Sequence, residues 1–299
     1  MKKFLTYFGL SIAMIIWALT FVWAKQLLNA GVTPTMLIFF RLISVSVFLL
    51  PFFIIAGSFK KIERKDIPAF LLMAFFEPFL YYIGETNGIN LVSPTIAAII
   101  IATIPVFLPF FARVIIKEKL KFINYLGIAV SFSGVFLIII DKGWNISASP
   151  KGLMFLFFAV FSAIGYTLLA KKLLVKYSPM LIAGMNIIIA MVYFMPVYFI
   201  FDAHLLNTIE FTPKIFIMIA ALGICGNLLA YSLFNNAIKK IGATKASIFS
   251  NLIPVFTAIF AFIILNEILP LTKITGIGLA LSGIYISQLG GSKTKNNVT

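Results

Sequence analysis

Uninterrupted apolar runs as long as a bilayer is thick constrain this chain more than any other feature. Residues 4–24 and 179–201 contain no Asp, Glu, Lys or Arg, and residues 34–59 contain only Arg41. A helix needs about 20 such residues to cross the hydrocarbon. No water reaches the backbone there, so only helices and closed barrels can span. Barrel strands alternate apolar and polar over about 10 residues, and these runs do not alternate. The sequence predicts an all-α membrane protein. Composition agrees: 62% of residues are hydrophobic and 11% charged, with a mean hydropathy of +1.08, whereas a soluble domain carries roughly 25% charged residues.

The length rule and the charged or Pro/Gly punctuation predict ten transmembrane helices, at about 4–28, 34–56, 66–89, 93–116, 121–140, 150–173, 178–200, 212–238, 243–265 and 271–290. Short loops make neighbours antiparallel. Lysine and arginine then orient the chain. One set of ends collects Lys2, Lys3, Lys60, Lys61, Arg64, Lys65, Lys117, Lys119, Lys121, Lys171, Lys172, Lys176, Lys239, Lys240, Lys293 and Lys295. The other set holds only Lys25, Lys142, Lys151, Lys214 and Lys273. Both termini are therefore expected in the cytoplasm. The net charge of +15 is a topology signal, and no nucleic-acid partner is expected. The apolar stretch from Phe4 past Trp23 exceeds a signal-peptide core of about 7–15 residues, so it reads as a retained first span.

The chain repeats itself. At an offset of 149 positions, Thr95-Ile-Ala97 falls on Thr244-Lys-Ala246 and Ile104-Pro105-Val106-Phe107 on Ile253-Pro254-Val255-Phe256. Glu118 meets Glu267, Gly127 meets Gly276, and Ser133-Gly134 meets Ser282-Gly283. After small shifts, Ala24-Lys25 aligns with Ala170-Lys171 and Pro34 with Pro179. The expected units are residues 1–141, residues 150–290 and a polar cytoplasmic tail at 291–299. Five spans per unit is an odd number, so the second unit enters the membrane upside down. Inverted repeats of this kind place a midplane site between the halves of many secondary transporters.

A unit with Pro-Val-Phe in its small-residue fourth span, a glutamate opening its fifth and Gly-rich spacing after it resembles the EamA domain. Two in tandem resemble the ten-helix branch of the drug/metabolite transporter superfamily. The resemblance covers essentially the whole chain. It implies a small-molecule carrier of a bacterial inner membrane, commonly an exporter of amino acids or other metabolites. It also implies a central cavity lined by the first, third, fourth, sixth, eighth and ninth spans.

Buried charge is the sharpest clue to a site, because an ionised group at mid-membrane costs at least about 2.5–3.5 kcal/mol. Arg41, Glu77 and Glu85 lie well inside spans, and a salt bridge from Arg41 to Glu85 or Glu77 would lower that cost. Such a pair would either fix two helices together or meet a charged solute. Glu77 precedes Pro78, whose ring and missing N–H free a carbonyl one turn earlier, so Glu77 is the candidate proton-coupling residue. Glu77, Tyr81 and Glu85 recur every four residues and form one helical stripe, with Tyr82 beside it. Asn227, Tyr231, Asn235 and Asn236 form a second polar strip. Trp17, Thr20, Tyr166 and Asn251 add polar or aromatic edges, though aromatic residues in spans also serve as interfacial belts.

Pro78, Pro105 and Pro254 are expected to hinge or shape the cavity. Glu118 and Glu267 are expected to cap the fifth and tenth helices, where the helix dipole favours a carboxylate. Gly127, Gly134, Gly276 and Gly283 should allow close helix contact.

With one histidine, His204, and one cysteine, Cys225, metal sites and Ser–His dyads lack parts. No P-loop occurs, and neither a cofactor nor a metal is expected. The reading is a secondary transporter, not an enzyme, moving a small metabolite such as an amino acid outward by alternating access. Its partners are the solute and the lipid bilayer; the sequence leaves the oligomeric state open, a monomer included. Rival solutes are a nucleoside, a sugar phosphate or a cationic drug; an intramembrane enzyme or a non-transporting scaffold are the remoter rivals.

Overall fold

The computed structural model describes residues 2–104, 106–108, 111, 122–139, 148–241, 246 and 249–289. In chain order the helices are α1 (Lys2–Asn29), α2 (Pro34–Ile55), α3 (Ile67–Ala74), α4 (Tyr81–Leu91), α5 (Pro94–Ile101), α6 (Phe122–Ile139), α7 (Pro150–Leu173), α8 (Pro179–Phe201), α9 (Pro213–Ala221), α10 (Tyr231–Ile241), α11 (Leu252–Leu265) and α12 (Leu271–Leu289). Five of them start alike. Thr33, Ser93, Ser149, Ser178 and Thr212 each accept a backbone N–H through the side-chain oxygen, and a proline follows each. The hydroxyl satisfies a free donor of the first turn, and proline there forfeits no bond.

Six described helical segments are long and apolar enough to cross a membrane, and four shorter apolar helices accompany them. Large apolar side chains face outward: Phe48 is 71% exposed, Ile217 69% and Ile263 65%. Lipid, unlike water, exacts no penalty for such a surface. Two of the six segments are not single helices. Arg64–Leu91 is broken between α3 and α4 by a wide turn at Phe75–Leu80, and Pro213–Ile241 by a similar turn at Leu222–Ala230. At the 149-residue offset these breaks coincide, with Glu77 falling on Gly226.

Contacts between equivalent helices show their relative directions. Phe39 of α2 stacks on Tyr198 of α8 with centroids 4.2 Å apart, while Phe53 of α2 packs on Gly184 of α8. Glu77 meets Tyr231 and Tyr82 meets Asn227 across the two broken segments. Gly134 of α6 packs on Ala280 of α12, and Ser131 on Gly283. In each pair one number rises as the other falls, so the partners run antiparallel. Cross-contacts follow the same exchange: α4 packs on α7, while α1 packs on the turn before α10 and on α10 itself.

Of the glycines expected to allow close packing, Gly134, Gly276 and Gly283 do so. A Cβ on Gly134 would lie 2.2 Å from the Ala280 nitrogen, and one on Gly283 2.1 Å from that of Ser131. Some other expectations change. Pro254, expected in mid-span, stands in the first turn of α11, where proline removes no bond. Glu267 caps no helix, because α12 begins only at Leu271; its carboxylate accepts from the Thr95 hydroxyl at 2.9 Å. Pro105, Glu118 and the 291–299 tail lie outside the described residues.

Candidate functional site

The two broken segments set out the site. Glu77 has φ −149° and ψ 120°, an extended conformation inside an otherwise helical run. Proline disfavours helical geometry in the residue before it and cannot donate to the turn. The released Glu77 carbonyl accepts from Asn186 Nδ2 of α8 at 2.6 Å. At the equivalent break, the Gly226 carbonyl accepts from Trp17 Nε1 of α1 at 3.2 Å. Each opened turn is thus closed by a side-chain donor from another helix, as an interruption at membrane depth requires. Wide turns of this sort cluster at functional sites.

Between the breaks lies a cavity of about 90 Å³. Trp17, Thr20, Arg41, Glu77, Tyr81, Tyr82, Glu85, Tyr166, Asn227 and Tyr231 all line it. Arg41, only 4% exposed, lies with its guanidinium carbon 3.2 Å from the centroid of the Tyr82 ring and Nη2 3.5 Å from Glu85 Oε2. Of the two partners open to Arg41, the fold selects Glu85. The Tyr81 hydroxyl donates to Glu85 Oε1 at 2.9 Å, so both carboxylate oxygens are engaged. The Tyr82 hydroxyl donates to Asn227 Oδ1 at 2.7 Å, and Tyr166 to Asn235 Oδ1 at 3.1 Å. Glu77 accepts from the Tyr231 hydroxyl. Thr20 turns its hydroxyl back onto the Trp17 carbonyl at 2.6 Å.

Asn251 departs from expectation. It ends the short turn Phe249–Asn251 and does not line the cavity; its neighbours Ser250 and Ile253 do. A tight turn advances the chain about 120° per residue against 100° in an α-helix, which redirects the side chains there. Phe21, Thr167 and Phe234 also line the cavity and were indistinguishable in sequence from lipid-facing residues. Asn186 could have been found: it occupies in the second unit the position of Arg41, and a buried amide at that depth demands a partner.

All-helical architecture and long apolar segments, two of them broken around an interior cavity, are those of a multi-pass membrane protein. The sequence profile of the EamA-like transporter family matches residues 4–140 and again 150–289, and the chain belongs to that family. It is 27% identical over 76% of its length to an uncharacterized transporter of Archaeoglobus fulgidus, covering 79% of that protein. It is 26% identical over 93% of its length to the uncharacterized transporter YdfC of Bacillus subtilis, covering 89% of that chain. A WAT1-related protein of Arabidopsis thaliana is 24% identical over 95% of this chain and 84% of its own. A crystal structure with 13% sequence identity superposes with a TM-score of 0.63 over 93% of this chain and 98% of that one, a likeness of fold. The protein is a membrane transporter with EamA units in both halves.

Proposed function

We propose that this transporter is secondary-active and works by alternating access, through ten spans arranged as two inverted five-helix repeats (residues 1–141 and 150–290) with both termini in the cytoplasm. It exports a small metabolite, such as an amino acid, across the cytoplasmic membrane of a bacterium. The supporting observation is the cavity between two equivalent, antiparallel broken helices, each opened turn closed by a donor from another helix. Two packings of look-alike halves around one site are what alternating access needs. The ten cavity residues named above form the solute site, Glu77 carries the coupled proton, and Pro78 and Pro105 shape the cavity. Phosphorylated solutes fit poorly, because the one cationic side chain on the described wall, Arg41, is engaged by Glu85.

Counterflow of radiolabelled amino acids and other metabolites into proteoliposomes, with and without a pH gradient, tests this. A saturable, counterflow-competent solute is expected, and Glu77→Gln should flatten the pH dependence of its transport without preventing membrane insertion. An unchanged pH profile in that variant removes Glu77 as the proton site. Failure of any solute to exchange rejects the carrier reading.

A further inference from the structure

One side chain holds the end of α4. Lys25 Nζ of α1 donates to the carbonyls of Ile89 at 2.9 Å, Asn90 at 3.1 Å and Val92 at 3.1 Å. An ammonium has three N–H donors, and all three are spent there. The last carbonyls of a helix lack partners within it and carry the negative end of its dipole, so a lysine answers both needs. Nearby, the Thr95 hydroxyl at the start of α5 donates to Glu267 Oε2 at 2.9 Å. Asn266, with φ 53°, turns the chain back over the end of α11, where the Glu267 N–H donates to the Ala261 carbonyl at 3.1 Å. Glu267 also attracts Lys25 by its charge. These contacts tie together ends of α1, α4, α5 and α11. Each of those helices lines the cavity, through Trp17, Glu85, Ile101 and Ile253 respectively.

The second unit carries the same parts. Lys25 corresponds to Lys171 of α7, and the correspondence holds in space. At that offset Trp17, Thr20 and Phe21 fall on Ala163, Tyr166 and Thr167, and all six line the cavity. The carbonyls that Lys25 holds on α4 correspond to those of Ile238, Lys239 and Ile241 at the end of α10. Lys171, however, is exposed and has no hydrogen bond or ion pair among the described residues. Thr95 and Glu267 correspond in sequence to Thr244 and Glu118, which lie outside the described residues. Cation and helix end therefore recur in both units, but they are joined in one and apart in the other.

We infer that Lys25 is a gate residue: seated on the end of α4, its ammonium holds one mouth of the cavity shut, and Lys171 takes the equivalent seat on α10 when the opposite mouth shuts. This rests on the alternating-access reading. A contact made in only one of two packings shifts their balance by the free energy of that contact. Lys25 lines no part of the cavity, so it acts through the helices it joins and is a positioning residue.

The test is the sided reactivity of a cavity cysteine, Ala163→Cys in a Cys225→Ala background, toward an impermeant methanethiosulfonate in right-side-out and inverted vesicles. Lys25→Gln should raise the rate from the Lys25 face, expected to be the outer one, relative to the rate from the other face by about fivefold. Lys171→Gln should lower that ratio by a similar factor. The two substitutions together should bring it to within about twofold of the parent, and Lys25→Arg, which keeps the charge, should leave it near the parent. Should Lys25→Gln fail to fold, Thr95→Ala, which removes the tie between α5 and α11, should move the ratio the same way. A lysine that only supports folding would lower the melting temperature and leave the ratio unchanged. A ratio unmoved by Lys25→Gln, or moved in the same direction by Lys25→Gln and Lys171→Gln, overturns the inference. Counterflow separates it from the parent reading. Opposed shifts without exchange of any solute reject transport and leave the gate standing. Solute exchange by the parent with a ratio that neither lysine moves rejects the gate and leaves transport standing.

Discussion

Arg41 holds two roles at once, stacking on Tyr82 and neutralising Glu85. Removing it strands a carboxylate that is 7% exposed. Arg41→Met should therefore destabilise by about 3–5 kcal/mol, whereas the double variant with Glu85→Gln should recover much of that loss. Thermal unfolding in detergent, arranged as a double-mutant cycle, measures it; additive losses would show the pair to be uncoupled. At the surface, Lys176 bridges Glu63 and reaches Asp66 at 2.7 Å. The Lys176 hydrogen bond, aided by Lys65, holds the Glu63 carboxyl below its ordinary 4.5, and bonds to Asp66 and Glu63 raise Lys176 above 10.5. A depressed acid contributes above its unfolded value and loses that contribution as pH falls through the folded one; a raised lysine contributes below 10.5 and loses it at higher pH. The bridge should thus persist across neutral pH and fail in strong acid or strong base, read as the pH window over which Lys176→Ala changes the melting temperature. Sequence depth alone brought Arg41 near the two glutamates, but the pairing with Glu85 is a tertiary contact, which side-chain spacing does not encode.

At the scale of elements, α6 and α12 are joined where a side chain has no room. Gly134→Ala places a methyl 2.2 Å from the Ala280 nitrogen, a backbone atom that cannot rotate away. The helices must separate, at a cost of about 1–3 kcal/mol or more. Gly278→Ala meets nothing within 4 Å and should stabilise α12 by up to about 1 kcal/mol, the helix-propensity gain. Comparing the two melting temperatures checks the pairing, and equal shifts would refute it. The broken helices depend likewise on distant donors: Asn186→Leu should cost about 1–3 kcal/mol by leaving the Glu77 carbonyl unpaired. Pro78 foretold the first break. The second has no proline, only glycines at 223 and 226. Gly223 packs against the Arg41 carbonyl and Ser44 of α2, a tertiary contact absent from any local pattern.

For the molecule as a whole, orientation is the testable quantity. In a Cys225→Ala background, a cysteine at Lys176 should react with an impermeant maleimide only from the cytoplasmic side, and one at Asn207 only from outside. Labelling of both from one side would overturn the predicted topology. Helix type, approximate limits and the internal duplication could be read from the sequence, because bilayer thickness, backbone satisfaction and charge asymmetry act on each segment separately. The Ser/Thr-Pro helix starts belong to the same local class. Ten of the eleven solute-site candidates line one cavity because ionisable and amide groups at depth have few places to go. Asn251 failed that rule, since a short tight turn redirected it. Only the tertiary structure decided which acid Arg41 takes, which helices antiparallel partners bring together, and that Glu77 meets the Tyr231 hydroxyl. Those outcomes depend on contacts between residues far apart in the chain, 154 positions for Tyr231 and Glu77, where no periodicity carries information.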